Sequence, residues 1–121
     1  MEISVGHTPD SDDAFMFYGM FTDKVPSPDF TVNHVIEDIE KLNRKATNPE
    51  LDVTAVSVHA CAYIPGYTIL RSGGSFGINY GPIVTAKKQM TIDEIKKCKI
   101  AIPGKMTSAF LLLQLMIGKF D

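Results

Sequence analysis

Between two apolar, strand-like runs the chain carries Arg71-Ser72-Gly73-Gly74-Ser75-Phe76-Gly77-Ile78-Asn79-Tyr80-Gly81-Pro82, where glycines keep the backbone bare of side chains. Such a segment does not propagate a helix and weakens any strand interior, because glycine loses the most backbone freedom on ordering. Only folds that place a crossover here are open to the chain. Before it, strand-like and helix-like runs alternate; after it, Ile83-Val84-Thr85-Ala86 resumes as strand. That alternation predicts an α/β chain with a parallel sheet. Residues 71–86 are expected to form a ligand-facing crossover between two lobes.

From the N-terminus, a strand is expected over 3–5, then the loop His7-Thr8-Pro9-Asp10-Ser11-Asp12-Asp13 and an apolar helix over 14–21. Asp10 or Ser11 can cap the unpaired amides of the first turn, and Asp12 and Asp13 sit where the helix dipole favours negative charge. Pro26 and Pro28 bracket a connection to a second strand over 30–35. Ile36, Ile39, Leu42 and Ala46 then recur at helical spacing through 37–45. Asn48-Pro49-Glu50 breaks that helix. A third strand follows over 51–56, then a short helix over 57–64 stopped by Pro65-Gly66, and a fourth strand over 67–70.

Past the crossover, Thr91 and Glu94 make the capping-box pattern of a short helix. A strand is expected over 99–102, a loop over 103–106, and a helix over 109–117 with Thr107 or Ser108 as its cap. The organisation predicted is a first α/β lobe over 1–87, containing the crossover, and the start of a second lobe over 88–121. In the last helix Phe110, Leu111, Leu112, Leu113, Leu115, Met116 and Ile117 leave almost no polar face, so it should be buried on more than one side. The preceding residues cannot cover it fully. A homo-oligomer, or a missing second-lobe partner, is expected through Ala109 to Ile117.

Charge and cysteine usage remove several function classes. Net charge is -2 and the 12 Lys and Arg are scattered, so no basic stripe exists to displace counterions from nucleic acid. The longest apolar run, Leu111-Leu112-Leu113, stops at Gln114, far short of a membrane span. The 2 cysteines, Cys61 and Cys98, form no CxxC, and the first residues carry no secretory leader, so reduced thiols and a cytoplasmic setting are expected. His7, His34 and His59 lack metal-ligand spacing. Lys105 and Lys119 follow glycines, but neither precedes Ser or Thr as a phosphate loop requires. Gly73 to Gly77 likewise lacks the dinucleotide spacing. Ser57 or Cys61 with His59 could pair nucleophile and base, yet no nucleophile elbow surrounds them.

What remains is a set of strand-end loops that converge in an open α/β sheet. They carry His7 and Asp10, then Ser57 and His59, then Ser72 and Asn79, then Thr107 and Ser108. Hydroxyls and free amides at helix N-termini suit a small anionic organic ligand held by neutral donors, because helix dipoles supply the positive potential.

Residues 6–17, Gly-His-Thr-Pro-Asp-Ser-Asp-Asp-Ala-Phe-Met-Phe, resemble the opening of the 1,4-dihydroxy-6-naphthoate synthase family. Ser57-Val58-His59-Ala60-Cys61-Ala62-Tyr63, the run 70–77, Tyr80-Gly81-Pro82-Ile83-Val84 and the run 100–109 are similar to it in order and spacing. The resemblance implies a two-lobed fold like the periplasmic solute-binding proteins, of which this chain holds the first lobe plus the first strand and helix of the second. It implies a lyase that converts cyclic dehypoxanthinyl futalosine to 1,4-dihydroxy-6-naphthoate in menaquinone biosynthesis, with no cofactor. It places substrate contacts on Ala55, Val56 and Ser57, and on Thr107 and Ser108. The family's general-base histidine falls in the second lobe, beyond Asp121, so turnover by this polypeptide alone is not expected. Two alternatives share the architecture: a non-catalytic small-anion solute-binding module, and a chorismate dehydratase of the same pathway. The unexported N-terminus counts against the first, and the His7-Thr8-Pro9-Asp10 motif fits the synthase better than the second.

Overall fold

A computed structural model describes residues 1–118; residues 119–121, the end of the expected second unit, lie outside the described residues. β1 (Glu2–His7) occupies the centre of a three-stranded sheet of order β2-β1-β3, flanked by β2 (Thr31–Ile36) and β3 (Val53–Thr54). All pairings are parallel, with Val5 opposite His34 and Val53, and Gly6 opposite Val35 and Thr54. Ile3 and Val5 of β1, and Val32, Val35 and Ile36 of β2, are β-branched residues that pack well on a pleated surface. Parallel register has one consequence for function. Every strand ends at the same edge, so the loops after His7, Ile36 and Thr54 leave the sheet side by side.

α1 (Ser11–Phe21) follows β1, and α2 (Ile39–Thr47) follows β2. α2 is capped as its sequence requires, with the Asp38 carboxylate accepting from the Lys41 amide at 3.0 Å and Arg44 and Lys45 near its negative C-terminal end. Pro49 cannot extend it. α1 differs from expectation: Asp10 occupies the capping position, but its carboxylate takes no helix amide and instead accepts from the Thr8 hydroxyl at 3.0 Å. Asp13 reaches back from the first turn to accept from the amide and hydroxyl of Thr8, at 2.7 and 2.8 Å. That carboxylate fixes the angle at which β1 turns into α1.

Residues 57–64 form only a 3₁₀ turn, Ala60–Tyr63. Ala46, Ala60 and Ile64 bury together, with Val56, Tyr67 and Met106 packed on them. The Tyr67 hydroxyl donates to the carbonyl of Leu51, tying the segment after the turn to the chain before β3. α3 (Ile92–Ile95) carries the expected capping box, in which Thr91 and Glu94 satisfy each other's backbone amides. α4 (Ser108–Ile117) ends at Gly118, whose φ of 86° lies in the left-handed region that glycine tolerates.

Three expected strands do not form. Residues 67–70, 83–86 and 99–102 have strand-like composition but no ladder partner among the described residues, and an isolated extended segment gains nothing from β-propensity alone. The expected first strand of a second lobe is therefore unpaired backbone here. β3 shrinks from the expected six residues to Val53–Thr54, which pair with β1 only at Val5 and Gly6. In the last helix Leu113 and Ile117 are buried along one stripe, while Leu112, Leu115 and Met116 stay exposed, so the rest of the described chain covers only one side of it.

Candidate functional site

Two walls meet where the loop after β3 touches the start of α4. Ala55, just past β3, is tied to the sheet by its amide, which donates to the Gly6 carbonyl at 2.8 Å. Val56 packs its side chain into the core against Ala46, Ala60 and Ile64. Ser57 is held twice by Asn43. The Asn43 side-chain oxygen accepts from the Ser57 amide at 2.8 Å, and its nitrogen donates to the Ser57 Oγ at 3.1 Å. Asn43 is completely buried, so this pairing is shielded from water.

His59 joins the walls. Its amide donates to the Ser108 Oγ at 3.2 Å, and its Nδ1 lies 3.2 Å from the Thr107 carbonyl. A carbonyl only accepts, so Nδ1 carries the hydrogen and Nε2 is left as the acceptor for the Tyr63 hydroxyl, 3.4 Å away. A shallow groove lined by His59, Tyr63, Lys105, Met106, Phe110 and Gln114 runs beside this junction.

Hydrogen-bond direction separates the hydroxyls by what they can still do. Thr107 donates to the Gly104 carbonyl at 2.7 Å and accepts from the Phe110 amide at 3.3 Å, so it is committed to capping α4. Ser57 and Ser108 each accept from an N–H, which leaves each O–H available to donate to a further acceptor. The positive dipole end of α4 lies on the same wall as Ser108. Hydroxyl donors beside a helix N-terminus are chemically suited to a carboxylate or similar anion.

The other expected site residues are placed elsewhere. His7 is 4% exposed, its Nδ1 2.8 Å from the Thr8 carbonyl and its Nε2 buried without a polar partner, and its ring packs beside the stacked pair Phe17 and Phe21, with centroids 5.2 and 4.8 Å away. Asp10 is exposed. Ser72 and Asn79 lie on the exposed crossover; Asn79 adopts a φ of 62°. The crossover meets the body instead at Ser75, whose hydroxyl holds the Asp12 carboxyl below the usual range, and at Gly73 beside Met16. Among the described residues no group of three or more acidic, His or Cys side chains could hold a metal ion. Sequence reasoning missed Asn43 and Glu40. The available signal was that both share the helical face defined by Ile39, Leu42 and Ala46, where a polar residue needs a buried partner.

A family model described as "Menaquinone biosynthesis" matches residues 3–121. The chain is 36% identical over 119 residues, 98% of its length, to 1,4-dihydroxy-6-naphtoate synthase of Thermus thermophilus, and covers 43% of that protein. An X-ray crystal structure of a protein from Archaeoglobus fulgidus is similar at TM-score 0.90 and 50% identity, over 99% of this chain and 44% of that one. The chain thus spans less than half the length of either relative.

Proposed function

The chain belongs to the menaquinone biosynthesis family, and from that premise we propose that it supplies the substrate-binding part of a lyase converting cyclic dehypoxanthinyl futalosine to 1,4-dihydroxy-6-naphthoate. The observation that carries the reading is that Ser57 and Ser108, on walls joined by His59, each accept from an N–H and so keep a hydroxyl hydrogen to donate. They bind an anionic group of substrate and product and orient it. The N-terminus of α4 adds positive potential through its dipole, and Lys105 lines the adjoining groove. The name of the Thermus relative supports the choice of reaction over a dehydratase.

In this reading the parallel sheet and its helices are the first lobe of a periplasmic-binding-protein-like fold, over 1–87, and 88–121 begin the second. Proton abstraction is assigned to a histidine outside this sequence. Within it His7 is packed beside aromatic rings, and His59 is tied to the Thr107 carbonyl. Leu112, Leu115 and Met116 are 48%, 73% and 52% exposed, and polypeptide from a second copy or a second-lobe partner covers them. Among the described residues no helix is long and apolar enough to cross a membrane, and the proposed compartment is the cytoplasm.

Titration calorimetry with 1,4-dihydroxy-6-naphthoate tests the site. A hydrogen bond to a charged group contributes about 1.5 kcal/mol or more, so Ser57→Ala and Ser108→Ala should each weaken binding about tenfold. Unchanged affinity in both variants would remove the assignment. Sedimentation at micromolar concentration tests the covered helix: a strictly monomeric species that binds no second polypeptide counts against it.

A further inference from the structure

We propose that Glu40 is a positioning residue for the α4 wall: its carboxylate sets where the loop before Thr107 sits, and so where Ser108 presents its donor. The inference rests on the ligand site proposed above and adds what holds that site in register.

Glu40 lies on α2, one helical turn before Asn43, and is 9% exposed. One carboxylate oxygen accepts from the Met106 amide at 3.1 Å across 66 residues of sequence; the other accepts from Arg44 at 3.3 Å. Burying a carboxylate costs several kcal/mol unless hydrogen bonds replace its water, so an apolar residue would serve packing alone better. The loop has been shaped around this group. Gly104 lies against the Glu40 carboxylate so closely that a Cβ there would collide with it, and its φ of 150° is one that L side chains rarely adopt. The Gly104 carbonyl in turn accepts from both the amide and the hydroxyl of Thr107, at 3.3 and 2.7 Å. Thr107 caps α4, and its neighbour Ser108 meets His59. Position passes from Glu40 through Gly104 and Thr107 to Ser108. Asn43 fixes Ser57 from the same face of α2, so one helix gauges the separation of both walls.

The test compares Glu40→Ala, Glu40→Gln and Gly104→Ala with the unaltered chain by calorimetry with 1,4-dihydroxy-6-naphthoate and by amide hydrogen exchange. Glu40→Ala and Gly104→Ala should each weaken binding about tenfold, whereas Glu40→Gln, which keeps an acceptor for Met106, should stay within about threefold. The Thr107 amide bonds Gly104 rather than Glu40, so faster exchange there reads the loop's position, and about tenfold acceleration is expected in Glu40→Ala with β1 amides unchanged. Wild-type affinity in folded Glu40→Ala overturns the inference, as does unchanged exchange at Thr107. If the unaltered chain binds no naphthoate, the ligand reading fails, and the exchange arm alone decides whether Glu40 holds the loop.

Discussion

Replacing Asn43 with alanine removes a side chain that is completely buried and bonds Ser57 through both of its polar ends. Two hydrogen bonds are lost, each with a net contribution of about 1 kcal/mol. The Ser57 amide is left facing a new void rather than bulk water, and a buried unpaired donor costs a further 1 kcal/mol or so. The total is about 3 kcal/mol, a large part of the roughly 5–15 kcal/mol that holds a domain folded. At about 2.1 cal/mol/K of unfolding entropy per residue, that loss lowers Tm by roughly 12 °C for a chain of this length. Urea unfolding followed by circular dichroism measures it, and the midpoint should fall with its slope unchanged. Asn43→Asp keeps the acceptor for the Ser57 amide but loses the donor, so at neutral pH it should be destabilised by a buried charge and recover partly as that carboxyl is protonated. A loss below about 1 kcal/mol in Asn43→Ala would refute the argument, because Ser57 would then have found water or another partner.

Gly6→Ala places a Cβ 2.7–2.9 Å from Leu51, Thr54 and Leu42, so it should cost about 1–3 kcal/mol by overpacking, read from the same denaturation curves. Burial, and then the nearby His7, hold the His34 imidazole below 6.5, so the unfolded chain takes up a proton that the folded chain resists; stability should fall as pH drops below 6.5, and His34→Gln should flatten that part of the profile. The Asp52 carboxyl is held below 3.8 by the amide and hydroxyl of Ser4, so its contribution is present above 3.8 and lost as pH falls through the folded value, a further loss that Asp52→Asn removes. Thr107→Ala deletes the cap of α4 and should cost about 1 kcal/mol, read from the same denaturation curves.

Local chemistry written in adjacent residues was legible from sequence. The Thr91 and Glu94 capping box, Thr107 at the head of α4 and the break at Asn48-Pro49 depend on partners within a few positions, so the spacing of residue types determines them. The alternation of strands and helices as far as β3 was legible for the same reason, and with it the edge where the strand-end loops gather. The ordered motifs from Gly6 to Ala109 carried the family.

Strands over 67–70, 83–86 and 99–102 were not determined by their residues, because a strand is stabilised by a neighbour across the ladder and β-propensity cannot supply one. Nor could spacing show that His59 and Ser108 join while Ser72 and Asn79 lie on the exposed crossover, since the contact spans 49 residues of sequence. The roles of Asn43 and Glu40 were decided at the same level. On a sequence they are two polar residues on an apolar helical face. Only when α2 lies between the loop after β3 and the loop before α4 do their burial and their distant partners make them the supports of both walls.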